Sequence, residues 1–368
     1  MSWWFLWQRH QQIASRLAKK GFDILYFQDP VYLDFFEFIK KCRERNIFVI
    51  RSVSENLHVV NVYLPPFTGK LRRITEKIGL LFFKTYLKYL DFKPETAIFY
   101  SLQYTFLLNT LKSMNVKILY DCVDEHPNPS DLSVAKEEEN LITSSSLVVA
   151  TSRRLLKKIS KISDNCIHIP NGVDFEHFNK ALKIKEKPKD IQHLQHPIVG
   201  FIGGVYDWID IDLLCKLADS HPDYSILLVG PVDYGRDKMK RRHNITMIGT
   251  KKYDIVPYYL ASIDVCMIPF KINNVTLASN PIKLYEYLAA GKPVVSTALP
   301  EICDSASEVV SIGRDHDDFI RKVERAIEDS EKPEEKFAVA RRIDFARGNS
   351  WDKRVQAIKE LLENLRAV

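Results

Sequence analysis

The sequence predicts an α/β protein with two Rossmann-like domains, each a mostly parallel sheet with helices on both faces. Short runs rich in β-branched and aromatic residues alternate with helical patterns, which is typical of parallel sheets. A polar, charged stretch at 181–196 has few large apolar residues and separates two such series, so it predicts an interdomain linker. With 368 residues, 46% of them hydrophobic, the chain is long enough to bury two cores.

The predicted strands fall into two series, one in a first domain at 1–180 and one in a second domain at 197–340. The last stretch, 341–368, is predicted to be a C-terminal helix that crosses back to the first domain. The first series of strands is 22–27, 47–50, 57–63, 97–100, 117–120, 147–150 and 166–169, and the second is 198–202, 225–229, 245–248, 264–268, 293–296 and 308–312. Ligands of such domains bind beyond the carboxyl ends of the strands.

Cysteine content and charge argue against several classes of protein. The six cysteines include no C-x-x-C pair, which favours reduced thiols in a cytoplasmic protein without a metal site. A net charge of +6 permits attraction to phosphates or anionic lipid without requiring nucleic acid. The apolar start at 1–7 is too short to span a membrane and lacks a basic leader and a cleavage site, and no other stretch approaches a spanning length.

The stretch ASNPIKLYEYLAAGKPVVST, residues 278–297, predicts a helix whose start faces a ligand crevice. Ser279 or Asn280 would be the N-cap, Pro281 fits the first helical position, and the helix is predicted over 281–290. A strand, KPVVS, follows it. The free N–H groups at such a helix start form a phosphate site in doubly wound domains.

Lys283 lies in the first turn of this predicted helix, where the helix dipole disfavours a cation. A bound diphosphate would neutralise that lysine and explain its position. Glu286 lies about one turn further on, where its carboxylate could accept hydrogen bonds from the two hydroxyls of a ribose. The alternative is an ordinary solvated Lys–Glu pair at i, i+3, and spacing alone does not separate the two interpretations.

Several motifs together resemble the GT-B glycosyltransferases, in particular the large group that uses nucleotide sugars. They are PNGVD at 170–174, VGFIGGVYDW at 199–208, LLVGP at 227–231, MIG at 247–249, YLASIDVCMIPF at 259–270 and KLYEYLAAGKPVVS at 283–296. WQRHQQIASRLAKKG at 7–21 and SWDKRVQAI at 350–358 resemble the branch that builds bacterial surface polysaccharides, such as the teichuronic-acid-type enzymes. Relatives have an apolar strand before the first of these two motifs. Here either FLW joins the sheet or that strand is lacking.

The resemblance implies transfer of a sugar from a nucleotide diphosphate, with UDP as the expected nucleotide, to a glycan or a lipid-linked acceptor. It implies no cofactor and no metal, because a helix start and cations hold the diphosphate. The implied donor-binding residues are Gly203, Gly204, Gly249, Thr250, Lys251, Ser279, Asn280, Pro281, Ile282, Lys283 and Glu286. Two alternatives stay open: a nucleotide-sugar epimerase on the same fold, and a catalytically silent glycan-binding partner.

Two departures from the family pattern put the donor sugar in doubt. The family usually has two glutamates eight residues apart. The second corresponds to Glu286, and the position of the first is occupied by Ala278. The arginine and lysine that usually follow the Gly-Gly loop are replaced by VYDWID, so Asp207 and Asp210 stand where positive charge is expected. Either Lys283 and other cations neutralise the diphosphate, or the donor site differs.

The first domain is expected to supply the acceptor side and the catalytic group. ILYDCVDEHPNPSD places Asp121, Asp124 and His126 just beyond a predicted strand, and a carboxylate there could deprotonate an acceptor hydroxyl. Asp124 is the first candidate and His126 the second. Alternatively, Asp121 caps a turn that the following prolines end. Further cleft candidates, each of which could equally be a cap or a surface residue, are Arg9, His10, Ser152, Arg153 and Asn171.

The stretch 69–90 predicts an amphipathic helix with basic residues beside apolar ones. The basic face is Arg73, Lys77, Lys84 and Lys88, and the neighbouring stripe is Ile74, Ile78, Leu81, Phe82 and Tyr89. Such a helix suits peripheral contact with anionic lipid at the inner face of the membrane. The alternative is a helix packed on the core with solvated lysines.

Overall fold

The protein is described by a computed structural model that covers residues 3–44, 46–65, 71–126 and 131–367. The first part of the chain contains α1 (Arg9–Lys19), β1 (Ile24–Phe27), β2 (Val31–Tyr32), α2 (Phe35–Arg43), β3 (Phe48–Ser54), β4 (Leu57–Leu64), α3 (Arg72–Tyr89), β5 (Thr96–Phe99), α4 (Leu108–Ser113), β6 (Lys117–Cys122), α5 (Leu132–Ser144), β7 (Leu147–Ala150), α6 (Arg153–Ile159), β8 (Cys166–His168) and α7 (Phe175–Asn179). Strands and helices alternate here, and β3 and β4 form a hairpin.

The second part contains β9 (Ile198–Ile202), α8 (Ile211–Ser220), β10 (Ser225–Val229), α9 (Arg236–Met239), β11 (Ile245–Met247), α10 (Val256–Ser262), β12 (Val265–Ile268), α11 (Ile282–Ala289), β13 (Val294–Thr297), α12 (Pro300–Ala306), β14 (Ser311–Gly313), α13 (His316–Ser330), α14 (Glu335–Gly348) and α15 (Trp351–Ala367). Its six strands form one parallel sheet in the order β11-β10-β9-β12-β13-β14. The predicted α/β class is confirmed.

The central strands of this second sheet are buried on both faces. In β9, Ile198 and Ile202 contribute to one core, while Val199 and Phe201 contribute to the core on the opposite face. Side chains alternate in the same way along β10 and β12. A near-continuous apolar run is what a parallel strand with helices on both faces requires.

The strand order of the second sheet reverses direction between β9 and β12. Chain connections from these two neighbouring strands run to opposite sides of the sheet, which opens a crevice at their carboxyl ends. The segments that leave these strand ends are the Gly203–Gly204 loop and the stretch that leads to α11. The topology therefore places the two predicted phosphate-binding segments side by side.

The first domain has two sheets instead of the single one that the predicted series suggests. Strands β5, β6, β7 and β8 form a parallel sheet, and β1, β4 and β2 form another, with β3 antiparallel to β4. Among the described residues no strand precedes α1, and 3–8 form turns and extended chain. FLW therefore does not join the sheet.

Two segments connect the domains, one before the second domain in the chain and one after it. Helix α7 and the stretch 181–196 pack on the second domain, where Ile191 is fully buried. Helix α15 returns to the first domain, where Trp351 and Val355 share a core with Ile13 of α1. The two domains consequently face each other across one cleft.

Candidate active site

The cleft between the domains has a volume of about 810 Å³ and is lined by both of them. The second domain contributes the ends of β9 and β10, the loop after β11, and the start of α11. The first domain contributes the residues before α1 and those after β6. Apart from the residues before α1 and the start of α11, these segments follow the carboxyl ends of parallel strands, where this class of fold binds ligands.

Glycine backbones form the floor of the cleft on the second-domain side. The amide of Gly203 donates to the carbonyl of Val229 at 2.9 Å, and the amide of Gly230 donates to the carbonyl of Gly249 at 2.9 Å. A Cβ at Gly203 would lie 3.5 Å from the Cε atom of Lys283, so the lysine extends over this loop. Backbone amides and one ammonium are thus gathered at one place.

Substitution of Gly230 by alanine is expected to destabilise the protein by about 1–3 kcal/mol and to abolish nucleotide binding. Gly230 has φ +147°, and a Cβ there would collide with the Gly203 carbonyl oxygen. Chemical denaturation measures the loss. Gly348→Ala is the control, because no atom lies within 4 Å of a Cβ there. An unchanged denaturation midpoint for Gly230→Ala would show that the loop has room to relax.

The start of α11 lies in the cleft, one residue later than predicted. Pro281 is the N-cap residue rather than the first helical residue, and the helix runs over Ile282–Ala289. Asn280 does not cap it, because its side chain accepts from the Asn171 amide at 2.9 Å. Ser279 does not cap it either, since its hydroxyl donates to the carbonyl of Thr276 at 2.8 Å. The first amides of α11, which lack partners within the helix, border the cleft.

Lys283 and Glu286 form an ion pair whose surroundings differ from those of a solvated pair. The Lys283 Nζ atom lies 2.7 Å from Oε2 of Glu286. Only 3% of Glu286 is exposed, whereas Lys283 is half-buried and faces the cleft. A buried carboxylate is costly unless it is paired, so the contact with the lysine offsets the cost of burying Glu286 beside the helix start. The interpretation as an ordinary solvated pair is wrong.

The loop after β11 lies next to this helix start. Thr250 is exposed and Lys251 is half-buried, and both line the cleft. The Lys251 ammonium pairs with Asp190 at 2.7 Å, so its charge is used to hold the stretch 181–196. Gly249 has φ +70°, a conformation that glycine adopts without strain. The main chain of this loop and the exposed side chains of Thr250 and Lys252 are therefore available to contact a ligand.

Neither Ala278 nor the two aspartates of VYDWID line the cleft. Ala278 is fully buried in the core of the first domain. Asp210 caps α8 by accepting from the Leu213 amide at 3.0 Å, and it pairs with His316 at 2.8 Å. Asp207 is exposed. The loop instead turns the aromatic rings of Tyr206 and Trp208 toward the cleft, so it adds no negative side chain there.

Asp121, one of the three predicted catalytic residues, lies behind the cleft wall. It is 2% exposed and pairs with Arg9, whose Nε atom is 2.8 Å from Oδ2. Asp121 lies on β6, and its carboxylate orients Arg9. It therefore neither caps a turn nor faces a position where a substrate could bind. His126 is half-buried and does not line the cleft, and the prolines that follow it lie outside the described residues.

Asp124 is the predicted catalytic residue that faces the cleft. Its side chain is open to the water of the cleft, while protein surrounds it on the other sides. Burial raises the pKa of the Asp124 carboxyl to about 6, and the Arg9 guanidinium opposes this rise. The neighbouring Glu125 is held by Lys158 at 2.6 Å, and Lys158 also binds the buried Glu138 at 2.8 Å. The ion pairs hold the residue next to Asp124, and the pKa of the Asp124 carboxyl suits proton transfer near neutral pH.

Arg9 and Asn171 form a chain of hydrogen bonds that reaches the start of α11. The Nη1 atom of Arg9 donates to the Pro170 carbonyl at 3.2 Å and to the Asn171 side chain at 3.3 Å. The Asn171 Nδ2 atom donates to the Asn280 carbonyl at 2.6 Å. The ring of the buried His10 stacks on Tyr26 with centroids 5.6 Å apart. The PNGVD motif therefore links the first domain to the predicted phosphate-binding segment.

Ser152 and Arg153, the other cleft candidates, do not line the cleft. Ser152 caps α6 by accepting from the Leu155 amide at 3.2 Å. The Arg153 guanidinium lies 3.5 Å from the buried Glu301 of the second domain, and its backbone amide donates to the same carboxylate. Ser152 is therefore a helix cap, and Arg153 forms a contact between domains.

Sequence reasoning missed the aromatic residues of the cleft. Five consecutive residues at 3–7 line it from the first domain, and Tyr253 lines it from the second. Trp7 packs on Tyr253 with centroids 5.8 Å apart, and Gln12 donates to the Tyr253 hydroxyl at 3.1 Å. The signal was the density of tryptophan in SWWFLW, which was considered only as a possible strand.

Comparison with known proteins identifies the family. The family described as "Glycosyl transferases group 1" matches residues 196–329. A Bacillus subtilis protein named for teichuronic acid biosynthesis, a glycosyltransferase, is 30% identical over 277 residues, which cover 68% of this chain and 68% of that protein. The chain belongs to the group 1 glycosyltransferases. Nothing in these comparisons favours the epimerase or the silent binding partner.

Solved structures confirm the GT-B fold of this glycosyltransferase. Sucrose-phosphate synthase from Thermosynechococcus elongatus superposes with a TM-score of 0.75 at 16% identity, over 97% of this chain and 92% of that one. The Anabaena protein HepE, crystallised with UDP and glucose, superposes with a TM-score of 0.64 at 16% identity, over 93% of this chain and 99% of that one. At this identity the likeness concerns the fold.

The described part of this glycosyltransferase contains no helix that is long and apolar enough to cross a membrane. Within the same ranges, no group of three or more histidine, cysteine, aspartate or glutamate side chains is arranged to hold a metal ion.

Proposed function

We propose that this glycosyltransferase moves a sugar from a nucleoside diphosphate sugar, with UDP as the expected nucleotide, to a hydroxyl of a glycan or lipid-linked acceptor in surface polysaccharide synthesis. The observation that carries the proposal is the buried Glu286 carboxylate, paired with Lys283 beside the open start of α11. The Bacillus subtilis relative named for teichuronic acid biosynthesis and the Anabaena complex with UDP support the acceptor class and the nucleotide.

The diphosphate would lie between the glycine loop and the start of α11. Gly203 and Gly204 let the main chain approach the phosphates, and the first amides of α11 point toward them. Lys283 adds a positive charge, so neither a metal nor another cofactor is needed to neutralise the leaving group. Because the side chain of Asn280 is bonded to Asn171, this residue contributes through its main chain and not through its amide group.

The nucleoside would occupy the side of the cleft next to the loop after β11. Gly249, Thr250 and Lys251 would contact the base through main-chain groups, because the Lys251 side chain is paired elsewhere. Glu286 would accept hydrogen bonds from the ribose hydroxyls through its carboxylate. Asp124, on the opposite wall, would take the proton of the acceptor hydroxyl in a direct displacement.

A thermal-shift screen with UDP, GDP, ADP and their sugars tests this function. A ligand at one hundred times its dissociation constant stabilises the folded protein by about 2.7 kcal/mol, which raises the melting temperature. We expect UDP and at least one UDP-sugar to produce this shift, and the other nucleotides to produce a smaller one. If no nucleoside diphosphate changes the melting temperature, the proposed donor site is wrong.

We also propose peripheral contact with anionic lipid through α3. The four predicted basic residues are exposed, and so are Ile74, Leu81 and Tyr89, at 44%, 64% and 82%. Ile78 and Phe82 are half-buried, while the face that packs on the protein is Thr75, Gly79, Phe83, Tyr86 and Leu87. Exposed apolar residues among lysines suit the boundary between lipid headgroups and water.

Charge reversal at Arg73 and Lys77 is expected to release the protein from anionic liposomes, since each basic residue near such a surface contributes about 1 kcal/mol. Sedimentation with phosphatidylglycerol vesicles measures the bound fraction. The matched control reverses Arg321 and Arg325, which are 63% and 75% exposed on α13. Equal release by both double variants would indicate an effect of net charge alone, and lack of binding by the unmodified protein would refute membrane contact.

A further inference from the structure

We propose that the aromatic turn, residues 3–7, is the stacking platform for the acceptor saccharide, with Trp4 and Phe5 packing against the apolar face of a pyranose ring. This inference rests on the proposed function and adds the acceptor subsite to it. The cleft needs such a subsite, because the sugar that leaves the donor must meet a hydroxyl held next to it.

The aromatic turn is held rigidly although it contains no regular secondary structure. The buried Gln11 side chain accepts from the Gln8 amide at 2.7 Å and donates to the carbonyls of Trp3 at 3.1 Å and Leu6 at 2.8 Å. The Trp3 amide donates to the Gln28 side chain at 2.6 Å. All of these bonds come from buried or partly buried groups, so they fix the turn in one conformation.

Trp3 anchors the turn, and its two neighbours line the cleft, although the Arg51 guanidinium lies over the Trp4 ring at 6.0 Å from the ring centroid. Trp3 is 2% exposed and packs edge-on against Tyr26 with centroids 4.9 Å apart. Trp4 and Phe5, the next two residues, are 55% and 58% exposed, and both line the cleft. A rigid turn that holds two large aromatic rings in water gives up the free energy that their burial would release. Contact with a ligand recovers it.

The position of the aromatic turn favours a saccharide as the occupant. The turn lies on the first-domain wall of the cleft together with Asp124, and Trp7 contacts Tyr253 on the other domain. An acceptor ring on this wall would lie across the cleft from the start of α11. The exposed Gln8 adds hydrogen-bonding groups beside the aromatic rings. Apolar faces rimmed by hydrogen-bonding groups are what a pyranose ring matches, whereas a lipid chain offers no hydroxyls to these groups.

Saturation-transfer NMR with methyl glycosides tests the platform. The probes are methyl glucoside, methyl galactoside and methyl N-acetylglucosaminide, titrated in the presence of saturating UDP. For at least one probe, we expect Trp4→Ala and Phe5→Ala each to weaken binding about tenfold, and Trp4→Tyr to retain most of it because a ring remains. The matched control is Phe337→Ala, since Phe337 is 64% exposed and does not line the cleft.

Three results would overturn the platform. They are binding of no methyl glycoside by the unmodified protein, equal binding by the alanine variants, and equal weakening by Phe337→Ala. Loss of phosphatidylglycerol vesicle binding by Trp4→Ala, with glycoside binding unchanged, would assign the turn to lipid instead. The UDP-induced thermal shift is measured on every variant. If it is retained while the platform fails, only this inference is wrong, and if the unmodified protein shows no shift, the proposed donor site has failed as well.

Discussion

Replacement of Asp124 by asparagine is expected to lower the rate of sugar transfer about 10²–10⁴-fold and to leave the UDP-induced thermal shift unchanged. Asparagine keeps the shape of the side chain but accepts no proton. Asp124 lines the first-domain wall of the cleft, away from the groups proposed to bind the nucleotide, so donor affinity is expected to persist. Initial rates with a radiolabelled UDP-sugar and a saturating acceptor measure the loss.

The pH dependence of the unmodified enzyme provides a second test of Asp124. The pKa of its carboxyl is raised to about 6 by burial, against the opposing charge of Arg9. The carboxylate that accepts a proton is therefore the dominant form above about pH 6 and is lost as the pH falls below it. We expect kcat/KM to fall about tenfold per pH unit on the acid side. This acid limb is expected to vanish in Asp124→Asn.

Asp207→Asn is the matched control for Asp124→Asn, because Asp207 is exposed and does not line the cleft. It is expected to keep both the transfer rate and the acid limb. A transfer rate in Asp124→Asn within a few-fold of the unmodified enzyme would remove Asp124 from catalysis. It would favour a reaction in which the donor itself takes the acceptor proton.

Replacement of Glu286 by glutamine is expected to weaken UDP binding by about 1.5–3 kcal/mol, or roughly 10- to 100-fold in dissociation constant. The carboxylate would accept charge-assisted hydrogen bonds from both ribose hydroxyls, and a neutral amide accepts weaker ones. Isothermal titration with UDP measures the change. Uridine, which has the ribose without the diphosphate, is expected to lose binding to the same extent.

Lys283→Ala separates the phosphate contribution from the ribose contribution. We expect weaker UDP binding with unchanged uridine binding, because the ammonium is proposed to contact the diphosphate and not the ribose. The unliganded melting temperature is also expected to fall, since the substitution leaves the buried Glu286 carboxylate without its partner at 2.7 Å. Lys271→Ala, outside the cleft lining, is the control. Full retention of UDP binding in both Glu286→Gln and Lys283→Ala would show that the nucleotide binds elsewhere.

The second domain could be predicted well from the sequence because its signals are local. Runs such as SILLV at 225–229 are buried strands at their predicted positions. The helix predicted over 281–290 was found at Ile282–Ala289. The N-cap of this helix was predicted incorrectly, because the Asn280 side chain accepts a hydrogen bond from the amide of Asn171. Asn171 lies 109 residues away along the chain. No local pattern reveals such a partner.

The first domain was harder to predict because its residues are placed by distant contacts. The Asp121 carboxylate, which was predicted to be catalytic, instead pairs with Arg9 and orients its guanidinium. These two positions are 112 residues apart, so no local pattern predicts their contact. The stretch 3–8 before α1 forms turns and extended chain, although its apolar residues look like a strand in the sequence. Only the packing of Trp3 on Tyr26 shows why these apolar residues do not form a strand.

The two hydrogen bonds that Asn171 donates to Asn280 connect the two domains beside the proposed nucleotide site. Asn171 is also bonded to Arg9 of the first domain, and Asn280 immediately precedes the segment proposed to hold the pyrophosphate. Movement of the two lobes apart would therefore pull on the same short segment of backbone that is proposed to hold the leaving nucleotide. If UDP binds there as proposed, its release and the opening of the lobes would be thermodynamically linked, each favouring the other.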